Sequence, residues 1–410
     1  MATVNNHFLT LSSGYLFPEI ARRTKAWQEK HPDAKVLRLG IGNTTEALAP
    51  AVCQAMKHKI DLLSDRATYT GYGDEQGDAS LRKALCGFYH DHWGVDLDPM
   101  EFFISDGAKS DAANIQELFG QNNIVAVQDP AYPVYVDSNV VGGRTGAYNK
   151  EKEGYDGFVY LPSVAENGFI PDPPSVHVDL IYLCSPNNPT GAVATKAQLK
   201  AFVDYAIREN AVIIFDAAYS SYITDDQYPH SIYQVEGAQR CAIEISSFSK
   251  FAGFTGVRLG WTVVPKQLVC QDAGPGVLNG LWNRRQCTFF NGASNISQYG
   301  GEASLSGEGY KQCMQLVDYY LENARIIRQG LESVGLVCYG GVNSPYIWAR
   351  TPKGMTSWQF FDLLLDRCHV VVTPGSGFGP AGEGYVRVSA YGHREDVVAA
   401  MESIRRNFSV

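Results

Sequence analysis

Short apolar runs alternate along the chain with longer stretches whose apolar residues recur every three or four positions. Residues 124–127, 180–183 and 212–215 are rich in branched side chains and have the length of strands buried on both faces. Between the last two lies 195–209, with Leu199, Phe202, Val203 and Ala206 on one face and Lys200, Asp204 and Arg208 on the other. That spacing predicts a strand–helix–strand unit, and its repetition predicts an α/β chain with a largely parallel sheet. A further strand is expected at 101–104, leading into a helix. Near the start, 19–31 reads as a helix ended by Pro32.

From about Ser294 the pattern turns mainly helical, with breaks expected at Gly307 and Gly309. Strands at 345–349, 370–373 and 385–389 and a helix at 357–367 follow, which predicts a compact α+β unit. The 410 residues exceed one ordinary domain. They divide into an arm and part of the small domain (1–47), a large domain (48–300) and a C-terminal small domain (301–410).

Composition narrows the function. The net charge of −9 is spread without a basic block, which argues against nucleic acid as partner. Nine scattered cysteines without a C-x-x-C pair predict reduced thiols. The first ten residues lack a secretory pattern, and no apolar run is long enough to cross a bilayer. A soluble protein of the cytoplasm is expected, or of an organelle stroma if a leader has been removed.

Four of five candidate motifs stand just after predicted strands, where open α/β sheets bind ligands, and the fifth is the local motif around Lys250. Ser247-Phe248-Ser249-Lys250 is followed by Arg258, and two hydroxyls, a lysine and an arginine suit an imine-forming amine beside a phosphate. Asp216-Ala217-Ala218-Tyr219 puts a carboxylate at a strand end, where it can keep a pyridine nitrogen protonated. Ser185-Pro186-Asn187-Asn188-Pro189-Thr190-Gly191 is a rigid turn that presents Asn188. Ser105-Asp106-Gly107-Ala108-Lys109 opens a helix with a turn able to cradle an anion. Tyr132, in Asp129-Pro130-Ala131-Tyr132-Pro133, offers a ring for stacking. Each has a plainer reading alone: a surface lysine, a capping aspartate, turn chemistry, a core tyrosine.

Together, and in this chain order, these motifs resemble the fold-type I, aspartate-aminotransferase-like pyridoxal-phosphate (PLP) enzymes. Tyr15-Leu16-Phe17-Pro18, Gly71-Tyr72-Gly73-Asp74-Glu75-Gln76-Gly77, Phe254-Thr255-Gly256-Val257-Arg258-Leu259-Gly260-Trp261, Phe290-Asn291-Gly292-Ala293-Ser294-Asn295 and Pro374-Gly375-Ser376-Gly377-Phe378-Gly379 narrow the resemblance to the LL-diaminopimelate aminotransferases. The resemblance implies a large domain with a mostly parallel seven-stranded sheet, a smaller α+β domain, and a homodimer with shared active sites. It implies amino transfer between LL-2,6-diaminopimelate and 2-oxoglutarate, giving tetrahydrodipicolinate and glutamate on the route to lysine.

By the same resemblance Lys250 is the imine lysine and proton shuttle. Tyr72 (from a second subunit), Ala108, Lys109, Ser247, Ser249 and Arg258 hold the phosphate. Tyr132 stacks on the ring, Asp216 pairs with its nitrogen, and Asn188 and Tyr219 bond its oxygen. Arg387 binds the α-carboxylate; Tyr15, Gly42, Lys109 and Asn291 line the pocket, with Tyr72, Tyr132 and Asn188 also facing substrate. Asn291 counts for the cofactor too, and Glu75 takes the distal ammonium. Asn43 stands where the family usually has Asp, and 47–49 run Ala-Leu-Ala where it has prolines, which alters the expected entrance.

Alternatives on the same fold are an aminotransferase for lysine or an aromatic amino acid, a lyase, or a non-catalytic PLP-binding regulatory module. Glu75 discriminates among donors, because it favours a distal ammonium. Gly377-Phe378-Gly379-Pro380-Ala381-Gly382 matches a dinucleotide fingerprint, but Pro380 and the strand after it leave no helix for a pyrophosphate. His90 and His92 face different ways on a helix and read as solvated rather than as a metal pair.

Overall fold

The computed structural model describes residues 1–11 and 16–409, so Tyr15 lies outside the described residues. Seven strands form the main sheet: β1 (Phe102–Ser105), β2 (Val125–Asp129), β3 (Phe158–Pro162), β4 (Leu180–Cys184), β5 (Val212–Asp216), β6 (Ala242–Ser247) and β7 (Gly260–Val263). Their order is β1-β7-β6-β5-β4-β2-β3, and only β7 runs antiparallel to its neighbours. The apolar runs form strands because helices cover both faces: every residue of β2, β4 and β5 is buried. Each fully buried Val, Leu or Ile contributes about 1.5–3 kcal/mol.

The helix between β4 and β5 spans Lys196–Glu209 and starts as its sequence dictates. Thr195 accepts from the Gln198 N–H at 3.2 Å, and the Gln198 side chain accepts from the Thr195 N–H at 2.9 Å. Such a reciprocal cap is worth about 1 kcal/mol.

A second sheet has four antiparallel strands in the order Cys338–Gly340, Tyr346–Arg350, Tyr385–Ser389 and Thr373–Pro374. Its core takes in Leu16, Ile20, Leu37 and Leu39 from the start of the chain. The helix Gly307–Glu332 joins the two cores. Cys313, Val317 and Tyr320 pack against the large sheet's core, and Ala324, Ile327 and Leu331 against the small one.

Three expectations are corrected. The helical stretch breaks at 304–306, and both Gly307 and Gly309 lie inside the following helix. Gly309 is there for packing: a Cβ would lie 1.8 Å from the Ala303 carbonyl oxygen. The run 370–373 divides, with Val370–Val371 pairing parallel to Leu37–Arg38 and Thr373–Pro374 joining the small sheet. The first helix spans Leu16–Lys30, starting before Pro18, as a proline in the first turn of a helix permits. Among the described residues no helix is long and apolar enough to cross a membrane.

Candidate active site

A cavity of about 380 Å³ opens at the carboxyl ends of the parallel strands, walled on one side by the small sheet. β1 delivers Ala108 and Lys109, β2 Tyr132, β4 Asn188, β5 Asp216 and Tyr219, and β6 Ser247, Ser249 and Lys250. Arg258 lines it from the loop before β7, Arg387 from strand Tyr385–Ser389, and Gly42 from the entrance segment. Twelve residues singled out in the sequence thus converge on one cavity.

One end of the cavity is built for an anion. Arg258 reaches the Ser249 hydroxyl at 3.4 Å, and its backbone sits at φ +71, a costly conformation for a non-glycine residue. Gly107 holds φ +132, a conformation side chains rarely adopt, and a Cβ there would displace the Arg258 guanidinium, 2.3 Å away. A Cβ on Gly260 would meet the same turn, 2.9 Å from the Ala108 nitrogen. Behind the turn, the Ser105 hydroxyl donates to Asp111 at 2.6 Å and accepts from the Gly107 N–H at 3.2 Å. Hydroxyls, a guanidinium and a side-chain-free turn suit a phosphate dianion.

Lys250 stands at the centre. Its Nζ donates to the Gly42 carbonyl and lies 5.0 Å from the Tyr391 ring. Desolvation, with the Arg387 and Arg258 guanidinium groups, lowers its pKa to about 7. Such an amine is partly neutral at physiological pH and therefore able to attack a carbonyl or carry a proton.

Asp216 accepts from the Tyr135 hydroxyl at 2.6 Å and from the Ala218 N–H at 2.9 Å. Burial raises its pKa against those two bonds. A cation seated beside it, such as a protonated ring nitrogen, favours the carboxylate. Asn188 donates to the Tyr219 hydroxyl at 3.4 Å. Arg387 is 1% exposed and donates to the Asn188 side-chain oxygen at 2.6 Å and to the Gly40 carbonyl at 2.7 Å. Its Nε is buried without a partner among the described residues, a donor left for a ligand.

Three expected residues lie elsewhere in the single chain. Tyr72 is 88% exposed and Asn291 is exposed at φ +64. Asn295 donates to the Gly71 carbonyl at 3.0 Å, and a Cβ on Gly292 would lie 3.6 Å from Glu75 Cα. Tyr72, Glu75 and Asn291 therefore sit on two touching surface loops, outside the cavity lining. Conversely, Tyr135 and Tyr346 line the cavity and were not singled out, because a tyrosine among apolar residues reads as core. The signal for Tyr135 was its place three residues after Tyr132, in the first turn of helix Val134–Val141.

The 377–382 segment is a packing device: a Cβ on Gly379 would lie 2.2 Å from an Asp129 oxygen, and Asp129 accepts from the Ala381 N–H at 3.1 Å. His90 and His92 are both exposed, and His90 pairs with Asp96 at 2.8 Å.

Residues 34–404 match the family model for aminotransferase class I and II. The fold is similar to LL-diaminopimelate aminotransferase from Chlamydomonas reinhardtii, with 48% identity over 99% of this chain and 98% of that one, TM-score 0.93. It is similar to the aromatic aminotransferase from Pyrococcus horikoshii, with 26% identity over 93% and 98%, TM-score 0.78. Aspartate aminotransferase from Thermus thermophilus shares the fold at 19% identity over the whole of both chains, TM-score 0.84. A match over most of the sequence, with the lysine, carboxylate and phosphate cradle in one cavity, places this chain in the aminotransferase class I and II family, enzymes dependent on pyridoxal phosphate.

Proposed function

We propose that this enzyme transfers an amino group between LL-2,6-diaminopimelate and 2-oxoglutarate, yielding tetrahydrodipicolinate and glutamate. The 48% identity over 99% of the chain to an LL-diaminopimelate aminotransferase carries the substrate assignment. The cavity geometry carries the chemistry.

The residues present fit the cofactor. Ser247, Ser249, Arg258 and the turn 107–109 would hold its phosphate, Tyr132 its ring face, Asp216 its nitrogen, and Asn188 and Tyr219 its phenolic oxygen. When bound, PLP supplies an aldehyde that links to amines and a cationic ring that draws electrons from the substrate's Cα. Arg387 holds the α-carboxylate as a fork, which fixes the direction of the Cα–H bond. Lys250 Nζ, tuned near neutrality, takes the Cα proton and later returns one, so donor and acceptor react in turn.

A second copy of the chain is proposed to bring Tyr72, Glu75 and Asn291 to this cavity. Their clustering on two touching exposed loops supports that role. Glu75 would there receive the distal ammonium.

The test is single-turnover absorbance of PLP-loaded protein mixed separately with LL-diaminopimelate, meso-diaminopimelate, lysine, aspartate and phenylalanine. Rapid conversion of bound cofactor by the LL isomer alone is expected. Rapid conversion by lysine or phenylalanine instead would overturn the substrate and leave the aminotransferase.

A further inference from the structure

Tyr346 opens the small-sheet strand Tyr346–Arg350 and is 1% exposed. Its hydroxyl lies 2.9 Å from the Tyr219 hydroxyl. Its ring centroid lies 4.5 Å from the Arg387 guanidinium carbon. The same hydroxyl is what a Cβ on Gly42 would strike at 2.6 Å, beside the carbonyl that accepts from Lys250. One buried side chain from the small sheet thus touches the oxygen-binding tyrosine, the carboxylate fork and the entrance segment.

We propose that Tyr346 is a positioning residue with two separable parts: its hydroxyl makes Tyr219 a committed donor to the cofactor, and its ring supports Arg387. The proposal rests on the cofactor placement above and not on the identity of the amino donor.

A proton count carries the first part. A tyrosine hydroxyl has one proton to donate and two lone pairs to accept with. Burial pushes both phenols upward, so both keep their protons at neutral pH. The bond between them can run either way while Tyr219 has no other acceptor. Once Tyr219 gives its proton to the cofactor's phenolic oxygen, the 2.9 Å contact survives only with Tyr346 as donor. A hydroxyl that accepts one hydrogen bond becomes a stronger donor in the next. The relay therefore favours the anionic form of the cofactor oxygen.

The second part is geometric. Arg387 is tied at its tips by Asn188 and Gly40, while its guanidinium carbon lies over the rings of Tyr346 and Phe378, 4.5 and 4.9 Å from their centroids. Cation–π contact of this kind is stronger when desolvated.

Tyr346→Phe keeps the ring and removes the hydroxyl; Tyr346→Leu removes both. The first readout is the pH titration of visible absorbance in PLP-loaded protein without substrate. Tyr346→Phe should raise the midpoint by about half a unit to one unit, the worth of one hydrogen bond. Made in a Tyr219→Phe background, the same change should add no further shift, because the relay is already cut. The second readout is KM for 2-oxoglutarate: unchanged in Tyr346→Phe and raised roughly threefold to thirtyfold in Tyr346→Leu.

An unchanged midpoint in Tyr346→Phe, or an equal shift with and without Tyr219, overturns the relay. Equal KM increases in the Phe and Leu variants overturn the ring's role. If Tyr346→Leu does not fold, Tyr346→Met takes its place as the ringless variant, with the same KM rise expected and an unchanged KM overturning the ring's role, while the Phe cycle decides the relay independently. Because the titration needs no substrate, a wrong donor assignment leaves its result untouched.

Discussion

Asp216 and Glu244 lie on adjacent strands of the main sheet, 8% and 0% exposed, yet they are surrounded differently. Glu244 sits in mid-strand and accepts from the Tyr89 hydroxyl at 2.6 Å, the Ser231 hydroxyl at 2.7 Å and the Ile232 N–H at 2.9 Å. Asp216 ends its strand, has one hydroxyl and one N–H, and borders the cavity. Burial raises both carboxyls. An acid held by three donors in mid-strand, away from the cavity, serves the fold. An acid left with room for one more partner can recruit a cation, which is what a ring nitrogen becomes when it stays protonated.

The contrast predicts that cavity-side changes remove turnover while leaving the fold, and core-side changes do the reverse. The largest loss is expected from Lys250→Ala, which should abolish steady-state transamination with near-normal thermal unfolding; normal rates would refute the assignment of this cavity. Asp216→Asn should lower kcat roughly a hundredfold to a thousandfold, since an amide cannot hold the nitrogen's proton by charge. A variant that keeps wild-type kcat would erase the distinction between the two acids. Arg387→Lys should act mainly on KM, roughly tenfold or more, because a point charge cannot make the fork. An unchanged KM for 2-oxoglutarate would count against its role.

The pH behaviour of the cofactor-free protein sharpens the same comparison. With its pKa lowered to about 7, Lys250 is neutral above that value and charged below it. The rate of PLP capture, which needs the neutral amine, should climb as pH rises through about 7 and then level off. A rate still climbing towards pH 10 would mean that the amine is not desolvated.

Asp216 and Asn188 were legible in the sequence because each follows a short apolar run, so its address at a sheet end is written in local pattern, and Lys250 because two hydroxyls and an arginine flank it. Tyr135 and Tyr346 were not, since a phenol in an apolar neighbourhood is equally a core residue, and only the third dimension brings its hydroxyl to another group. Gly309 misled for a related reason. A glycine signals a break when read along the chain, while here it admits the Ala303 carbonyl to the helix surface. Tyr72, Glu75 and Asn291 lie on loops outside the cavity lining of the single chain, and loop residues with no periodic pattern around them carry no local signal of where they sit.

The smallest effect tests the core acid directly. Glu244 has its pKa raised to about 7 by burial, despite three donors that lower it. In the unfolded chain an ordinary glutamate titrates near 4.3. Between those values the folded state binds more protons than the unfolded one, so this group's contribution to stability falls as pH rises. Glu244→Gln cannot titrate. It should be less stable than the parent at pH 5 by about 1–3 kcal/mol, because the amide has one accepting oxygen and two N–H protons to place among three donors, where the protonated acid has two oxygens able to accept and one proton. That deficit should shrink by pH 8, measured by urea unfolding of the cofactor-free proteins. A deficit that grows with pH would mean that the three donors outweigh burial and that Glu244 favours its ionised form. Its kcat and KM should match the parent's; a loss comparable to that of Asp216→Asn would show that the two acids act as one site.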